Sequence, residues 1–561
     1  MRENFWIECL DCGFQTTFSP TRQNCEHCGG IWLEARYDLA QIGPGLVSRV
    51  STRPYDLWRY QEVLPVKGPN PVLTMGEGGT PLIQAANMGM MLSHPHIFIK
   101  DERQGPTSSF KDRQAALSIT ALKEAGIKEI VLASTGNVAI SFSAYSARAG
   151  IKLWAFLTSL VPAEKMREVA IYGTQVVKVT ASYDQVKQVA AEFAHQRGLY
   201  LERGSRSIPS VEAMKTLAYE ISEGLTQRMG PPSAMPDGRQ PAWRAPDWYI
   251  QAVSGGLGPQ GVLKGFTELY QMGLTQRIPA IACIQAEGCA PMVHAARQNL
   301  DQAVPVQSPR THISTLATGD PGRTYTLLRH RMSQGGGGVF ESVSDEEAFR
   351  MIHILAKMEG LSVEPASAVG FAGLIKLVRS GVIKPYETVV VNCTGHTMPI
   401  EKEILGENWA KNLVVPPEVL RETPEEGLLA ALSRVTSERY SRVLVVDDTA
   451  DARRLILRIL QSQGDYTLFE AANGKEAVLL ASQELPDLII LDLMMPEMDG
   501  FAVLDALKAN AQTAQIPVIV VTAKELTTAE KARLRGRIHA LMQKGSFMND
   551  DLVDEVRALL R

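Results

Sequence analysis

Long apolar runs are missing from these 561 residues, and so is an excess of either charge: 57 Lys and Arg stand against 61 Asp and Glu, a formal net charge of -4. The first absence argues against a bilayer-spanning helix, which needs about 20 consecutive apolar residues. The second removes the electrostatic footprint of a nucleic-acid binder. No nucleic-acid partner and no membrane partner is therefore expected. Met1–Asp11 carries Glu3, Glu8 and Asp11 where a secretion signal would be apolar, so the expected address is cytoplasmic. Internal repeats and low-complexity tracts are absent as well. With 45% hydrophobic and 21% charged residues, the composition is that of an ordinary soluble protein. The length exceeds what one core can fill and predicts three or four domains.

Cysteines are few and odd in number, seven in all. Cys283, Cys289 and Cys393 are scattered through core-like segments, whereas Cys9, Cys12, Cys25 and Cys28 cluster at the start. Without an export signal this favours metal binding plus buried thiols over disulfides. Cys9-Leu-Asp-Cys12-Gly and Cys25-Glu-His-Cys28-Gly-Gly are two C-x-x-C knuckles, each turning two sulfurs to one side of a glycine-relieved corner. Four thiolates so arranged suit tetrahedral zinc, and so short a segment would draw its folding free energy from the metal. His27 is read as an exposed spacer. A zinc ribbon is expected over residues 1–38.

Over residues 39–410, short apolar runs alternate with helical stretches: Ile97–Lys100, Glu129–Ser134, Lys152–Leu157, Val176–Thr180, Asp247–Val253, Ala280–Ala286 and Thr388–Thr394. That pattern predicts parallel strands buried on both faces. The proline-rich stretch Pro231–Pro246 reads as a surface loop, and residues 411–440 as an acidic linker with one helical stretch. Four features fall in one order. Lys111 lies at a turn entering a helix, in Gly105–Arg113. The strand Glu129–Ser134 runs into a small-residue loop, Ser134, Thr135, Gly136, Asn137, that opens a helix and offers amides to a polar or anionic group. Ser254, Gly255, Gly256, Leu257 and Gly258 follow a strand and open another helix, where backbone N–H groups can converge on a phosphate. Thr394 ends a buried strand at the carboxyl-end crevice.

Together these residues resemble the fold-type II (tryptophan synthase β-like) pyridoxal-phosphate enzymes, and the threonine synthases most of all. The family's Ser-Phe-Lys-Asp-Arg box is matched by Ser109–Arg113, and the resemblance runs from about Cys9 to Glu401, including Glu364–Ala368. It implies that Lys111 forms the internal Schiff base with pyridoxal phosphate and shuttles protons. It implies that Asn137 meets the ring's O3′, that Ser254 to Pro259 cup the 5′-phosphate, and that Thr394 meets the pyridine nitrogen. Ser134, Thr135 and Gly136 would contact an amino-acid substrate, and a homodimer is usual. The implied reaction is elimination of phosphate from O-phosphohomoserine and addition of water to give threonine. Departures bear on substrate: Val138 follows Asn137 where the family has threonine, and Ser210 stands where it has an arginine. Arg203 and Arg206 lie just upstream. Alternatives are a related lyase or synthase, for example threonine dehydratase- or cysteate synthase-like, or a ligand-sensing scaffold.

A second, compact β-α alternation fills residues 441–561. Asp447 and Asp448 end the strand Arg442–Val446, Asp492 ends Leu488–Leu491, Thr522 ends a third, and Lys544 follows a last apolar stretch. In a flavodoxin-like, doubly wound sheet of order 2-1-3-4-5 the first and third strand ends are neighbours. Three carboxylates meeting there call for a hard cation such as Mg²⁺. The set resembles a response-regulator (CheY-like) receiver domain. That resemblance implies that Asp492 accepts a phosphoryl group from a sensor histidine kinase or phosphotransfer protein. Asp447 and Asp448 would help bind Mg²⁺, and Thr522 and Lys544 would contact the phosphoryl oxygens. Leu541 replaces the usual aromatic and Gly545 the usual proline. Phosphorylation of Asp492 is expected to change turnover at Lys111.

Overall fold

The computed structural model describes residues 4–134, 136–159, 161, 163–235, 238–396, 440–463, 466–524, 526–544 and 549–560. The linker expected over residues 411–440 and the Gly545 departure lie outside the described residues, apart from Tyr440. The chain divides into two compact units, the larger holding the ribbon and two α/β sheets, the smaller holding the C-terminal sheet.

Near the start of the described chain, Phe5–Cys9 pairs antiparallel with Gln15–Thr16 and with Leu33–Tyr37, placing Cys9 opposite Leu33. Gly13 and Gly29 take left-handed φ values of 73° just past the knuckles. Their N–H groups close turns onto Cys9 O and Cys25 O, both at 2.9 Å. Only glycine adopts that backbone cheaply, so the cysteine pairs turn sharply enough to face one another.

A six-stranded sheet runs in the order Gly338–Val343, Ala280–Ala286, Trp248–Ala252, Val389–Cys393, Ile97–Asp101, Leu82–Gln84. A four-stranded sheet runs Gln175–Val179, Lys152–Thr158, Glu129–Ser134, Tyr200–Leu201. Every pairing in the two is parallel except Leu82–Gln84 against Ile97–Asp101. All seven apolar runs picked out in the sequence are strands here, and all five residues of Trp248–Ala252 and of Val389–Cys393 are buried. The antiparallel edge is an addition to the expected pattern; at three residues it is too short to show a period. Pro231–Pro246 contains no helix or strand among its described residues, but it is not simply a surface loop. Trp243 and Ala245 are buried, and Trp243 bridges to Thr275.

Beneath the helix Lys111–Glu124 lies a closed ionic cluster. Arg113 donates to Glu102 (2.7 Å), to Glu220 (2.5 and 2.8 Å) and to Thr216 (3.0 Å), and Lys100 adds a 2.6 Å bond to Glu220. Two cations balance two carboxylates, all essentially inaccessible to water. Burial alone would raise Glu220's pKa, but Arg113 and Lys100 pull it down to about 2.

In the smaller unit, five parallel strands run in the order Tyr466–Ala471, Ser441–Val446, Leu488–Leu491, Val518–Thr522, Ala540–Gln543. This is the expected 2-1-3-4-5 order. Leu444, Val446, Ile489 and Leu491 join one core, while Val443, Val445, Leu488 and Ile490 join another. Alternate residues thus feed opposite faces, as the two-residue period of a strand dictates, and apolar runs with no polar interruption result.

Candidate active site

The carboxyl ends of the parallel strands supply a cavity of about 350 Å³. The strand Glu129–Ser134 leads to Gly136, whose φ of 155° with ψ of -104° belongs to glycine, and thence to the helix Asn137–Ala149. Ser134 Oγ caps that helix by accepting from the N–H groups of Gly136 (3.0 Å) and Ala139 (3.2 Å). After Trp248–Ala252 the chain turns through Ser254 and Gly255 to Gly256, left-handed at φ 87°, and enters the helix Leu257–Gln271. A β-carbon on Gly258 would lie 2.2 Å from Gln251 Nε2, and one on Gly256 2.8 Å from Thr324 Cγ2. Side chains are thereby excluded where backbone amides at a helix N-terminus must stay open to an anion. Pro259 is the third residue of that helix, where a missing N–H breaks no intrahelical bond. Ser254 Oγ lies 2.5 Å from Thr318 Oγ1.

Lys111, Ser134, Gly136, Asn137, Ser254, Gly255, Gly256, Leu257, Gly258 and Thr394 all line this one cavity; Thr135 lies outside the described residues. The Lys111 segment is fastened to the Thr394 strand end by a 3.0 Å bond from Phe110 N to Thr394 O and by a bridge between Ser109 and Gly395. Among the described residues Lys111 makes no hydrogen bond or ion pair. Its ammonium sits 4.1 Å from the centre of the Phe110 ring. Burial lowers its pKa to about 8, with Glu364 partly opposing the fall.

Glu364 also lines the cavity, and no motif in the chain assigned it a role. Its carboxylate accepts from Asn137 Nδ2 at 2.7 Å and from Thr394 Oγ1 at 2.9 Å, while Thr394 Oγ1 also lies 2.8 Å from Ser367 Oγ. The Glu364–Ala368 segment carried a family likeness but no sign that its first residue meets both Asn137 and Thr394. Thr318 and Gln251 left no sequence signal at all. An amine without a partner, an amide, a hydroxyl and a glycine turn around one cavity fit an aldehyde-bearing aromatic phosphate.

In the ribbon, one sulfur from each of the four cysteines lies within 4.8 Å of the others; Cys9 and Cys28 are 3.6 Å apart and Cys12 and Cys25 are 3.7 Å apart. Sulfurs bound tetrahedrally to one zinc are about 3.8 Å apart, from Zn–S bonds of about 2.3 Å. The set fits zinc, and His27 is exposed, stacked on Phe14 at 5.6 Å. Cys283, Cys289 and Cys393 are buried free thiols.

In the smaller unit, carboxylate oxygens of Asp447, Asp448 and Asp492 lie within 4.8 Å of one another, and Asp447 and Asp492 are buried. Lys544 Nζ is 2.6 Å from each of those two. Burial raises Asp447's pKa and Asp492's charge adds to the rise, against Lys544. Thr522 is buried at its strand end, with its carbonyl accepting from Lys544 N at 2.7 Å. The trio fits a divalent cation.

A family profile described as pyridoxal-phosphate dependent enzyme matches residues 73–395, and one described as response regulator receiver domain matches residues 443–557. The chain is 33% identical to a threonine synthase of Methanocaldococcus jannaschii over 390 residues, 69% of this chain and 91% of the relative. It is 31% identical to one from Methanosarcina acetivorans over 396 residues, 70% of this chain and 92% of the relative. Among solved structures, a diaminopropionate ammonia lyase from Escherichia coli in complex with D-serine has the same fold. Its TM-score is 0.50 at 15% identity, covering 61% of this chain and 95% of that one.

Proposed function

The chain belongs to the pyridoxal-phosphate-dependent enzymes and carries a response-regulator receiver domain, and on that footing we propose that it is a threonine synthase acting on O-phosphohomoserine. The observation that carries the reading is the convergence of Lys111, Asn137, the Ser254–Gly258 turn and Thr394 on one cavity. Bound pyridoxal phosphate supplies the electron sink for charge developing beside the substrate's α-carbon. The rest is the work of this chain's side chains. Lys111, uncharged in part at neutral pH, is suited to hold the cofactor's aldehyde carbon and to move a proton at the substrate. Asn137 and Thr394 would hold the ring's O3′ and nitrogen, exchanging the Glu364 carboxylate they now contact. The Ser254–Gly258 amides would hold its phosphate. Ser134 and Gly136 would contact the amino-acid substrate. Cofactor-loaded protein should release inorganic phosphate from O-phosphohomoserine and form threonine; fully loaded protein that releases none would sink the assignment. Val138 and Ser210 favour a second reading, a lyase or synthase for another amino acid, which the same assay run across amino-acid substrates would reveal.

The receiver completes the reading. Asp492 would take a phosphoryl group from a histidine kinase or phosphotransfer protein with Mg²⁺ held by Asp447, Asp448 and Asp492, and the modification would alter turnover at Lys111. Equal kinetic constants for phosphorylated protein and an Asp492→Asn variant would rule out that control. The division into residues 1–38, 39–410, 411–440 and 441–561 belongs to the same proposal.

A further inference from the structure

The cavity is lined by cations that the cofactor residues leave unused. Lys111, Lys187, Arg203 and Arg206 are the lysines and arginines lining it among the described residues. Lys111 is taken by the chemistry proposed above, and Lys187 is paired with Asp184 at 2.5 Å. Arg203 and Arg206 remain. Among the described residues neither guanidinium has an ion pair or a side-chain hydrogen bond, and Arg203 Nε is buried with no partner. Other arginines of the same unit do find carboxylates: Arg331 meets Glu34 at 2.6 Å, and Arg323 pairs with Asp11. Arg206's pKa is lowered by burial and then by the charge of Arg203, the mark of two cations held together with no anion between them.

The arginines are held in a fixed turn. Gly204–Arg206 forms one helical turn between the strand Tyr200–Leu201 and the helix Ile208–Met229. Gly204 N donates to Glu202 at 2.9 Å, and Thr324 Oγ1 donates to Ser205 Oγ at 3.1 Å. Ser210 lies inside, bonded to Ser118 and Glu202, and does not line the cavity. From behind, the ribbon closes on the same turn. Pro20, Arg22 and Gln23 share a small crevice with Arg203, Arg206 and Ser207. Gln23 Nε2 also donates to Leu201 O at 3.1 Å, and Asp11, between two zinc-site cysteines, grips Arg323.

We propose that Arg203 and Arg206 form a subsite for a dianionic, phosphate-like group on the substrate, and that the ribbon buttresses the turn that presents them. Guanidinium groups bind tetrahedral oxyanions through paired N–H donors, and two side by side are matched by a double negative charge rather than a single carboxylate. The proposal rests on the reading of this cavity as a site for an amino acid bearing a distal phosphate, but it can fail separately. Inorganic phosphate is the probe, titrated by calorimetry into full-length protein loaded with cofactor and zinc. Arg203→Gln and Arg206→Gln should each weaken phosphate binding about tenfold or more, as expected for losing a charged hydrogen-bond pair. Both should retain the cofactor's visible absorbance and full zinc content, which shows that they are folded. Arg→Lys at either position should recover only part, since a point charge lacks the fork. Gln23→Ala should weaken phosphate binding by a smaller factor, and unchanged affinity there would overturn the ribbon's part. Unchanged affinity in both arginine variants, or no phosphate binding by the parent protein, would overturn the subsite. Loss of phosphate binding in the variants while the parent protein fails to turn over O-phosphohomoserine would keep the subsite and discard the substrate. Turnover with an unaltered KM in both variants would do the reverse.

Discussion

Lys111 and Lys544 both stand at the carboxyl-end crevice of a parallel sheet, one in the cavity shared with Asn137 and Thr394 and the other among the receiver aspartates. Lys544 lies 2.6 Å from Asp447 and 2.6 Å from Asp492, and those contacts outweigh burial and raise its pKa. Lys111 has an aromatic ring at 4.1 Å and a carboxylate that its neighbours Asn137 and Thr394 already engage, and burial takes its pKa down to about 8. The same side chain is a fixed counter-ion in one sheet and an available amine in the other. What differs is how the nearby carboxylates are used. In the receiver they face the lysine directly, whereas in the cavity neutral donors satisfy Glu364 and spare the amine a salt bridge.

The largest expected effect lies at Lys111. Lys111→Ala removes the amine, and turnover should fall by roughly 10²–10⁴-fold from the lost proton transfer alone; steady-state kinetics on cofactor-soaked variant protein would check it. A variant retaining a tenth of the parent rate would mean another group moves the proton. Next in size is the cluster beneath it. Arg113→Met leaves Glu102 and Glu220 buried with only Lys100 between them, and the cost should be about 3–5 kcal/mol, as for other buried pairs cut on one side. The denaturant midpoint of the larger unit reports it. Glu220's pKa is depressed to about 2 in the folded protein, so its stabilisation is present above the unfolded value and lost as pH falls from about 4.5 toward 2. The penalty of Arg113→Met should therefore shrink over that acid range.

Much of this was readable in the chain because a buried parallel strand leaves an uninterrupted apolar run and the reactive loop begins where that run stops. Ser134, Thr394, Asp447 and Asp492 are all found that way, and the knuckle spacing of Cys9, Cys12, Cys25 and Cys28 is local by nature. The unread parts are set by contacts across long stretches of sequence. Glu364 is 227 positions from Asn137, and Gln251 matters because it fills the space a side chain at Gly258 would need. Arg113 looked like one more basic residue of a motif, yet its partner Glu220 lies 107 positions away. Leu82–Gln84 had no period to read and is a strand only because Ile97–Asp101 has an open edge.

In the receiver, Lys544→Met should cost less than the Arg113 change, on the order of 1–3 kcal/mol, because Lys544 keeps 23% of its side chain in water. Asp447 is already raised by burial, and losing Lys544 would raise it further. A carboxyl raised in the folded state adds stability while protonated and loses it as pH rises through its folded pKa. The variant's deficit should therefore be larger at neutral than at acid pH, and Mg²⁺ should recover part of it. Hydrogen exchange of residues 441–544 measures both, and a pH-independent deficit would contradict the role given to Lys544.

The smallest expected effect is on the pH dependence of cofactor capture. With Lys111 in the role proposed for it, capture of pyridoxal phosphate would need its neutral amine, and the rate should climb with pH and level off above about 8. Glu364 favours the ammonium form, and Glu364→Gln removes that negative charge while its amide oxygen can still accept from Asn137 and its NH2 group can donate to the Thr394 hydroxyl. The amine should then lose its proton more readily, moving the midpoint to lower pH by up to about one unit. Stopped-flow absorbance across pH 6 to 9 (roughly the range that brackets a lysine so perturbed) would follow it. A midpoint that stays put would mean the carboxylate does not sense the amine's charge, and that burial alone separates Lys111 from Lys544.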